Sequence, residues 1–398
     1  MDIRIHPCKL EGTISAIPSK SQAHRILICA AFSDKQTTII CQETNDDIEA
    51  TADCLRQLGA KIIRTSNGYT VTPVTTIPNT ATMRCRESGS TLRFLLPIVA
   101  ALGVDTTFHM EGRLPYRPLS PLWEELGRMG CELTRPCEHT VRCQGKLSAG
   151  IYRIDGGVSS QFISGLLFAL ALLTEDSRLE ISGKMESAPY VAMTQAALEL
   201  FGIDTKQFHI AGNRQFISPG LVTVEGDWSN SAFFFAANCL GSKIYIENLD
   251  FNSVQGDRAV VDILNNMHDM REINAANIPD LVPILSIAAA SANGAVFTDI
   301  RRLRIKESDR VQSVANILEN LGCNVEIAEN QLTVHSGEFK SCTIDSAGDH
   351  RIAMSAAIAA TIANGPVTIL GAECVAKSYP KFWDDFRKLG GNYEQYIR

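Results

Sequence analysis

Three residues that could do chemistry together, Lys306, Glu307 and Arg310, lie in the segment RRLRIKESDR (301–310). A lysine and a glutamate can supply the acid and the base of a proton transfer, and an arginine can bind a phosphate or carboxylate through parallel hydrogen bonds. Residues four apart share a helical face, so the spacing predicts that Lys306 and Arg310 do. The spacing leaves two interpretations open: an anion-binding site with groups for proton transfer, or an exposed helix whose charged side chains pair with one another.

Other basic residues stand at or near the polar starts of apolar, helix-like segments. Free N–H groups and the helix dipole favour anions at helix N-termini. Repeated units present equivalent positions on one face of a fold, so several such starts can face one cleft. We therefore predict a site for a strongly anionic ligand. The basic residues concerned are Lys20, Arg25, Arg93, His350 and Arg351.

Composition and missing motifs exclude other classes of function. The net charge of −7 argues against a nucleic-acid partner. The sequence contains no G-x-G-x-x-G after a strand and no G-x-x-x-x-G-K-[ST], so neither a dinucleotide cofactor nor P-loop chemistry is indicated. It also lacks a G-x-S-x-G nucleophile elbow and an H-E-x-x-H metal motif. We expect a protein that uses no cofactor and no metal ion.

The elements that position these residues follow from a repeat. Six helix-like stretches end alike, and five close on glycine, which adopts left-handed dihedrals after a helix without strain. The endings are CLRQLGA (54–60), EELGRMG (124–130), ALELFGI (197–203), ILNNMHD (263–269), ILENLGC (317–323) and DFRKLGG (385–391). The closing residues are Gly59, Gly130, Gly202, His268, Gly322 and Gly390, separated by 71, 72, 66, 54 and 68 residues. This near-constant period predicts one supersecondary unit used six times.

Two further elements recur with these endings. After Gly59, Gly130 and Gly322, β-branched residues alternate with polar ones on both sides of a polar turn, which predicts hairpins. Six other segments are apolar around most of their circumference and open with polar residues, so we predict buried helices. These segments are residues 19–31, 87–101, 159–173, 228–238, 279–290 and 348–360. The pattern predicts an α/β fold whose helices are enclosed by sheets, rather than a doubly wound nucleotide-binding fold.

Length and cysteine usage describe an ordinary globular protein. The 398 residues accommodate six units as two domains of three. The first residues lack the apolar core of a signal peptide, and no apolar run reaches the roughly 18 residues of a membrane helix. The twelve cysteines are scattered without a C-x-x-C pair, which favours reduced thiols. We expect a cytoplasmic protein with no membrane partner, and a monomer because each domain's sheets close around its own repeats.

Ten motifs, spread in order over nearly the whole chain, resemble those of the EPSP synthase family, the 3-phosphoshikimate 1-carboxyvinyltransferases. The resemblance implies a two-domain inside-out α/β barrel built from six repeats, three per domain, with buried helices surrounded by sheets. The motifs are SKSQAHR (19–25), GSTLRF (89–94), RP (117–118), SSQFISG (159–165), SAPY (187–190), EGDWSNSA (225–232), PD (279–280), RIKESDR (304–310), GDHRIAMS (348–355) and AKSYPKF (376–382).

The resemblance also implies how the chain is divided. One domain would comprise residues 1–18 and 226–398, and the other residues 19–225. The chain would then cross between the domains twice, near Pro18 and near residues 219–227. The active site would lie in the interdomain cleft, and we expect this cleft to close when shikimate 3-phosphate neutralises its positive charge.

The reaction implied by the family joins two anionic substrates. The enolpyruvyl group of phosphoenolpyruvate is transferred to the 5-hydroxyl of shikimate 3-phosphate, and phosphate is released, in the shikimate pathway of aromatic amino acid biosynthesis. The reaction passes through a tetrahedral intermediate and uses neither cofactor nor metal. Both substrates are polyanions, which fits the basic helix starts. One carbon gains a proton while a hydroxyl loses one, which requires an acid and a base.

The family's motifs assign site residues in three overlapping groups. Proton transfer falls to Asp280 as the base for the 5-hydroxyl and to Glu307 as the donor to C3, with Lys20 as an alternate. The phosphoenolpyruvate site comprises Lys20, Gly89, Arg117, Arg310, Arg351 and Lys377. The shikimate 3-phosphate site comprises Ser21, Arg25, Ser159, Ser160, Gln161, Ser187, Tyr190, Asp280 and Lys306.

Simpler structural roles compete with four of these assignments. Asp280, Ser159 and Ser160 could cap the helices that follow them, and Tyr190 could serve only in packing. Three other positions depart from the commonest family pattern. Glu87 stands where Asn is frequent, Ala188 where Lys is frequent, and Arg302 where Asn is frequent. Ala188 places one phosphate contact in question, and Glu87 adds a negative charge near the phosphoenolpyruvate turn.

Three alternative functions share this scaffold or a related one. A UDP-N-acetylglucosamine 1-carboxyvinyltransferase usually carries a catalytic cysteine near the segment GRLPYRPLS (112–120), which has none here. An RNA 3′-phosphate cyclase would need a nucleotide site and a nucleophilic histidine. A non-catalytic anion-binding protein would have no need of the carboxylates Asp280 and Glu307.

Overall fold

The computed structural model describes residues 1–268 and 272–396. Asp269, the last residue of the fourth helix ending, lies outside the described residues. The α-helices of the described part are α1 (Lys20–Ala31), α2 (Asp46–Gln57), α3 (Gly89–Leu102), α4 (Leu122–Arg128), α5 (Ser160–Leu170), α6 (Ala188–Leu200), α7 (Trp228–Cys239), α8 (Val260–Asn265), α9 (Val282–Ser291), α10 (Arg310–Asn320), α11 (His350–Ala360) and α12 (Phe382–Lys388). Short 3-10 helices span Leu114–Tyr116, Lys206–Phe208, Gly256–Ala259, Arg301–Ile305 and Ala372–Lys377.

Strands fill the intervals between the helices. In chain order they are β1 (Asp2–Ile5), β2 (Glu11–Ser15), β3 (Thr37–Ile40), β4 (Lys61–Thr65), β5 (Gly68–Thr72), β6 (Thr80–Arg86), β7 (Asp105–Met110), β8 (Cys131–Thr134), β9 (Thr140–Gly145), β10 (Ile151–Asp155), β11 (Ser177–Ser182), β12 (His209–Ile210), β13 (Leu221–Thr223), β14 (Lys243–Glu247), β15 (Glu272–Asn274), β16 (Ala295–Thr298), β17 (Val325–Ile327), β18 (Gln331–Val334), β19 (Cys342–Asp345), β20 (Val367–Leu370) and β21 (Tyr393–Tyr396).

The chain forms two compact α/β units. Unit 1 consists of Met1–Ile17 and Gly226–Arg398, and unit 2 of Pro18–Glu225. Each unit has a separate hydrophobic core. The N-terminal strand β1 pairs with β20 and β21 near the other end of the chain, so unit 1 contains both ends of the described sequence.

The odd-numbered helices α1 to α11 are the buried ones, as the sequence predicts. Every residue of α11 is buried, and so are twelve of the fourteen residues of α3. Five of the six are N-capped by a serine or aspartate side chain, which accepts a hydrogen bond from a backbone N–H of the first turn. Buried helices therefore begin at polar residues and continue into the apolar core, and the polar functional groups collect at their N-terminal ends.

The even-numbered helices end where the repeat predicts. Gly59, Gly130, Gly202, Gly322 and Gly390 all have positive φ angles, between 80° and 111°. A residue with a Cβ would be strained there, so glycine terminates each helix and turns the chain toward the next strand. The predicted hairpins after Gly59, Gly130 and Gly322 are confirmed as β4–β5, β8–β9 and β17–β18.

Four of the six sheets share one arrangement. Each has a parallel pair followed by two antiparallel strands, in the orders β13-β3-β5-β4, β6-β7-β9-β8, β15-β16-β18-β17 and β19-β20-β1-β21. The other two are shorter: β10-β11-β12 has three strands, and β14-β2 is a parallel pair alone. Helix α8 ends at Asn265, and the next described strand, β15, begins at Glu272. The short interval between these two elements accounts for the spacing of 54 residues to the next repeat, and the fourth copy is the most divergent one.

Two observations bear on the class of protein. Within residues 1–268 and 272–396, no helix combines the length and hydropathy that crossing a membrane requires. The twelve cysteines are all free thiols, and most of them are buried, including Cys29, Cys54 and Cys85.

Candidate active site

Arg310 is the centre of the densest polar cluster in unit 1. Its side chain is only 1% exposed. The guanidinium donates from Nη1 to Asp280 Oδ1 at 2.6 Å, from Nη2 to Glu307 Oε2 at 2.8 Å, and from Nε to Asp349 Oδ2 at 2.8 Å. One buried cation thus organises three carboxylates, and its planar fork fixes the direction of each.

Asp280 lies between two arginines. Arg310 binds its Oδ1 atom, and Arg351 Nη2 donates to Oδ2 at 2.9 Å. The Nζ atom of Lys306 is 3.8 Å from Oδ1. This carboxylate is held from both sides by guanidinium groups, with an ammonium group close by.

These contacts shift the pKa values of Asp280 and Lys306. Burial alone would raise the pKa of Asp280, but the charges of Arg351, Lys306 and Arg310 outweigh it and hold the pKa well below the ordinary value. Burial lowers the pKa of Lys306 to about 8, against the opposing charge of Asp280. Asp280 is therefore an anion at neutral pH, while Lys306 can gain or lose a proton near neutrality.

The local backbone corrects one sequence expectation. The i, i+4 spacing predicted that Lys306 and Arg310 share a helical face, and this prediction is wrong. Lys306 has φ −84° and ψ −156°, which is extended, and α10 begins only at Arg310. Asp309 accepts a hydrogen bond from the N–H of Gln312 and so starts the helix there. The interpretation as an exposed helix is also wrong, because Arg310 is buried.

The structure tests only the capping role considered for Asp280, which would not have excluded a role in proton transfer. The residue at the N-cap position of α9 is Leu281, and no side chain there accepts a capping hydrogen bond. The capping role is therefore wrong, because the Asp280 carboxylate is directed to Arg310 and Arg351.

Asp349 completes the cluster, and the sequence analysis missed it. Its side chain N-caps α11 by accepting from the N–H of Arg351 at 3.0 Å, and it also accepts from Ser308 Oγ at 3.1 Å. Burial would raise its pKa, but Arg310 and His350 lower it overall. Its position directly before His350 and Arg351 in the motif GDHR was the available signal.

The remaining predicted residue of unit 1 is Lys377. It is the last residue of the 3-10 helix Ala372–Lys377, and its side chain is buried. The next residue, Ser378, donates from Oγ to Asn230 Oδ1 of α7 at 3.3 Å. Lys377 therefore lies near the start of a second buried helix, which is consistent with a site built from helix N-termini.

In unit 2, the first predicted residue, Lys20, pairs with a residue that sequence reasoning missed. Lys20 is the first residue of α1, and its Nζ atom is 3.0 Å from Asp47 Oδ2 of α2. Both side chains are largely buried. The acidic residues at 46–47 lie in the first turn of α2, where acidic side chains are favoured by the helix dipole. The sequence therefore did not indicate that Asp47 pairs with Lys20.

Arg25 is held in a different way from Arg310. It donates from Nε to Thr194 Oγ1 at 2.8 Å, from Nη1 to the carbonyl of Ser21 at 2.5 Å, and from Nη2 to the carbonyl of Tyr190 at 2.8 Å. Its guanidinium also lies 5.1 Å from the centre of the Phe94 ring. Burial lowers its pKa to about 10, so it remains a cation at neutral pH. Three predicted residues, Ser21, Arg25 and Tyr190, are thereby brought together.

Gly89 forms the second grouping in unit 2. A Cβ atom at Gly89 would lie 2.5 Å from Arg93 Nη1 and 2.8 Å from Arg117 Nη1. Two guanidinium groups thus rest against the first residue of α3, and a larger residue there would displace them. Arg93 also donates to Gln161 Oε1 at 3.2 Å, and Gln161 donates to Ser90 Oγ at 2.9 Å. Gly89, Arg117 and Gln161 are brought together through Arg93, which the sequence noted only as a basic residue near a helix start.

The serines predicted to bind the second substrate occupy helix starts. Ser159 N-caps α5 by accepting from the N–H of Gln161 at 3.3 Å, so its capping role is confirmed, and Ser160 is the first helical residue. Ser187 is buried, precedes α6 and has φ 54°. A serine with positive φ is uncommon and strained, which marks this turn for attention.

The three departures from the family pattern lie beside these groups. Glu87 Oε1 accepts from the N–H of Arg113 at 3.1 Å and packs against Gly112, so it holds the loop that leads to Arg117. Ala188 is the first residue of α6. The charge of Arg302 contributes to the lowered pKa of Lys306.

The chain is similar to known proteins in sequence and in fold. The family model for EPSP synthase (3-phosphoshikimate 1-carboxyvinyltransferase) matches residues 6–386. Proteins named 3-phosphoshikimate 1-carboxyvinyltransferase from Clostridium kluyveri and Clostridium acetobutylicum are each 38% identical to this chain, over 99% of it and 98% of their own lengths. The solved structure of EPSP synthase from Acinetobacter baumannii superposes with a TM-score of 0.80 at 24% identity and covers 99% of both chains. At this identity the superposition speaks for the fold alone.

Proposed function

This chain belongs to the EPSP synthase family, and we propose that it transfers the enolpyruvyl group of phosphoenolpyruvate to the 5-hydroxyl of shikimate 3-phosphate. The products are 5-enolpyruvylshikimate 3-phosphate and inorganic phosphate, as part of the shikimate pathway. The observation that carries the proposal is Asp280, an ionised carboxylate held between Arg310 and Arg351 with Lys306 beside it. An anion-binding protein would not need buried carboxylates among its cations, since they repel the ligand.

The carboxylates are proposed to move the protons. Asp280 accepts the proton of the 5-hydroxyl while the hydroxyl oxygen forms a bond to C2 of phosphoenolpyruvate. Glu307 donates a proton to C3. In the second half of the reaction C3 loses a proton, the bond from C2 to the phosphate oxygen breaks, and phosphate leaves. Lys20 is the alternate acid or base at C3. Such transfers contribute on the order of 10²- to 10⁴-fold each.

The low pKa of Asp280 makes it a weak base in the free protein. Two of the three cations that lower this pKa, Arg351 and Arg310, are also proposed to bind phosphoenolpyruvate; the third is Lys306. When the anionic substrate binds, its charge offsets theirs, and the carboxylate becomes more basic at the moment it is needed. Substrate binding and base strength are therefore coupled through the same two guanidinium groups.

The remaining residues are proposed to bind the two substrates. Phosphoenolpyruvate is bound by Lys20, Gly89, Arg117, Arg310, Arg351 and Lys377. Shikimate 3-phosphate is bound by Ser21, Arg25, Ser159, Ser160, Gln161, Ser187 and Tyr190, with Asp280 and Lys306 at its hydroxyls. The N-terminal ends of α1, α3 and α5 support these roles, because free N–H groups and fixed cations both favour phosphate. We further propose that residues of both units act on the same pair of substrates.

Release of phosphate tests the proposal directly. Purified protein is mixed with phosphoenolpyruvate and shikimate 3-phosphate, with controls that omit either substrate. Release that requires both is the expected result. Release that instead requires the UDP-aminosugar would identify the sister enzyme, and no release with either acceptor would favour binding alone. Glu307→Gln should lower the rate by roughly 10²-fold or more. Glu319→Gln, which changes an exposed glutamate near the end of α10, serves as the matched control.

We also propose a monomeric, cytoplasmic enzyme. The twelve free thiols are typical of a reducing compartment. Sedimentation velocity should give one species at the mass of a single chain, 43.5 kDa. A larger species across a range of concentrations would contradict the monomer.

A further inference from the structure

Asp257 is a buried carboxylate in unit 1 that the proposed reaction does not use. It lies in the 3-10 helix Gly256–Ala259, and 3% of its surface is exposed. Its Oδ2 atom accepts a hydrogen bond from Ser229 Oγ at 2.6 Å. Ser229 Oγ in turn accepts from Arg351 Nη2 at 2.7 Å, and the same nitrogen donates to Asp280 Oδ2 at 2.9 Å. A continuous chain of hydrogen bonds therefore connects Asp257 to Asp280.

The segment that carries Asp257 is fixed to the start of α7. The side chain of Gln255 accepts from the N–H of Trp228 at 3.2 Å and donates to the carbonyl of Gly226 at 2.8 Å. Asp227 caps the same helix by accepting from the N–H of Asn230 at 2.8 Å. Asp257 and Ser229 are consequently held in a rigid relation to each other, which a positioning role requires.

We propose that Asp257 is a positioning residue for the reaction proposed above: acting through the Ser229 hydroxyl, it fixes the orientation in which Arg351 meets Asp280. The inference rests on the proposed function, since it concerns the orientation of the base and of one substrate-binding arginine. Asp257 itself is not assigned any contact with substrate.

The ionised form of Asp257 is the one that can orient Arg351. A carboxylate only accepts hydrogen bonds, so it draws the Ser229 hydroxyl proton toward itself and leaves the oxygen lone pairs facing Arg351. A protonated Asp257 can donate to Ser229, and the hydroxyl proton then becomes free to turn toward the guanidinium. Protonation of Asp257 would therefore leave Arg351 without a Ser229 oxygen whose lone pairs are directed toward its guanidinium group.

Charged groups face Asp257 from three elements. Asp227 precedes α7, Asp280 precedes α9, and Arg351 lies on α11. Arg258, its neighbour in the 3-10 helix, is turned away and donates to the carbonyl of Phe251. The pKa of Asp257 is raised to about 6: burial is the largest cause, the charges of Asp280 and Asp227 act in the same direction, and Arg351 and the Ser229 hydrogen bond oppose them. The orientation of Arg351 should therefore weaken as the pH falls through about 6.

The test compares kcat/KM for phosphoenolpyruvate in the wild type and in Asp257→Asn between about pH 5 and pH 8.5. The asparagine keeps the shape but has no ionised form, and like a protonated aspartate it presents a donor as well as an acceptor to Ser229. We expect the wild type to be faster by roughly tenfold at about pH 7.5, which is the usual scale for groups that orient reacting residues. The ratio should fall toward one near pH 5, where the wild-type carboxyl group is protonated as well.

A ratio taken at each pH removes the titrations that both proteins share, including that of Lys306. A purely structural defect would instead give a ratio that does not change with pH. Asp262→Asn is the matched control, because Asp262 is an exposed carboxylate on the adjacent helix α8. It should match the wild type at every pH.

A measurement of stability distinguishes a loss of Arg351 orientation from a defect in folding. The native pKa of Asp257 lies above that of an unfolded aspartate, so ionisation costs native stability, and this cost develops between about pH 4 and pH 6 and persists above. Asp257→Asn should therefore have a Tm at or above that of the wild type at about pH 7.5. A variant that is no less stable but is slower cannot owe its loss of activity to unfolding.

A double-mutant cycle tests the route through Ser229. Ser229→Ala should lower kcat/KM, and the double variant Asp257→Asn with Ser229→Ala should be no slower than the slower single variant. Multiplicative losses would overturn the proposal, and so would a ratio that is constant between pH 5 and pH 8.5. A wild type that releases no phosphate would contradict the proposed function, and the positioning role with it, whereas an active wild type with a constant ratio contradicts the positioning role alone.

Discussion

Arg310 and Arg25, a buried arginine of each unit, are held by partners of different charge. Arg310 in unit 1 is bound by three carboxylates, whereas Arg25 in unit 2 is bound by a hydroxyl and two backbone carbonyls. The pKa values of the two guanidinium groups differ accordingly. Burial lowers the pKa of both, but the carboxylates of Asp349, Glu307 and Asp280 raise that of Arg310 well above its ordinary value, while that of Arg25 falls to about 10.

This difference indicates a division of labour. A cation held by neutral acceptors keeps its full charge for a ligand, which suits the binding of a phosphate group. A cation held by carboxylates offers little net attraction, but it fixes those carboxylates and sets their pKa values. We therefore expect unit 2 to contribute mainly to the affinity for shikimate 3-phosphate and unit 1 mainly to the chemical steps.

The largest expected effect distinguishes the two arginines by stability. Arg310→Gln leaves three buried carboxylates without their shared cation, which should lower the free energy of unfolding by about 3–5 kcal/mol. Arg25→Gln leaves only neutral acceptors, so the loss should be about 1–3 kcal/mol. Urea denaturation of both variants at neutral pH measures the two losses. Equal losses of unfolding free energy in the two variants would contradict the distinction drawn between Arg310 and Arg25.

A second prediction concerns the pH dependence of the cluster in unit 1. The pKa of Lys306 is lowered to about 8, so its charge is present below this pH and disappears above it. If the charged form binds the anionic substrates, kcat/KM should fall above about pH 8. Lys306→Arg keeps its charge throughout this range and should abolish that fall, whatever its effect on the maximal rate. A decline at the same pH in the variant would assign the titration to another group.

The smallest expected effect concerns a helix start in unit 2. Ser159→Ala removes the side chain that caps α5 and should cost about 1 kcal/mol of stability. If Ser159 also binds shikimate 3-phosphate, the Kd for this ligand should rise as well, while kcat changes little. Ser88→Ala, which removes the equivalent cap of α3, provides the comparison for the stability loss alone. Equal Kd values in both variants would reduce Ser159 to a capping role.

Much of the fold could be predicted because the repeat has a local cause. Glycine readily takes the positive φ that follows the last turn of a helix, and an apolar circumference favours burial of a helix, so Gly59 and α11 were both recognisable from sequence. The divergence of the fourth copy was visible only as a shortened interval. The interval could not show that the sheet β14-β2 would have two strands, because strand pairing depends on segments far apart in the sequence.

Less of the candidate site could be predicted from the spacing of residues alone. Lys306 and Arg310 do meet near Asp280, but through an extended turn rather than a helical face, because Asp309 starts α10 at the next residue. Asp47, Asp349 and Asp257 were missed because aspartates near helix starts serve as caps in most proteins. Only long-range contacts, such as that of Arg310 with Asp349, show which of them also hold a cation.

The most direct test of the division of labour measures both kcat and the Kd for shikimate 3-phosphate in Asp280→Asn and Arg25→Gln. The account predicts that Asp280→Asn lowers kcat by roughly 10²- to 10⁴-fold and leaves the Kd nearly unchanged. Arg25→Gln should instead raise the Kd by roughly tenfold or more, as loss of a charged hydrogen bond does, and should lower kcat much less. An Asp280→Asn variant that loses affinity but retains kcat would contradict the account.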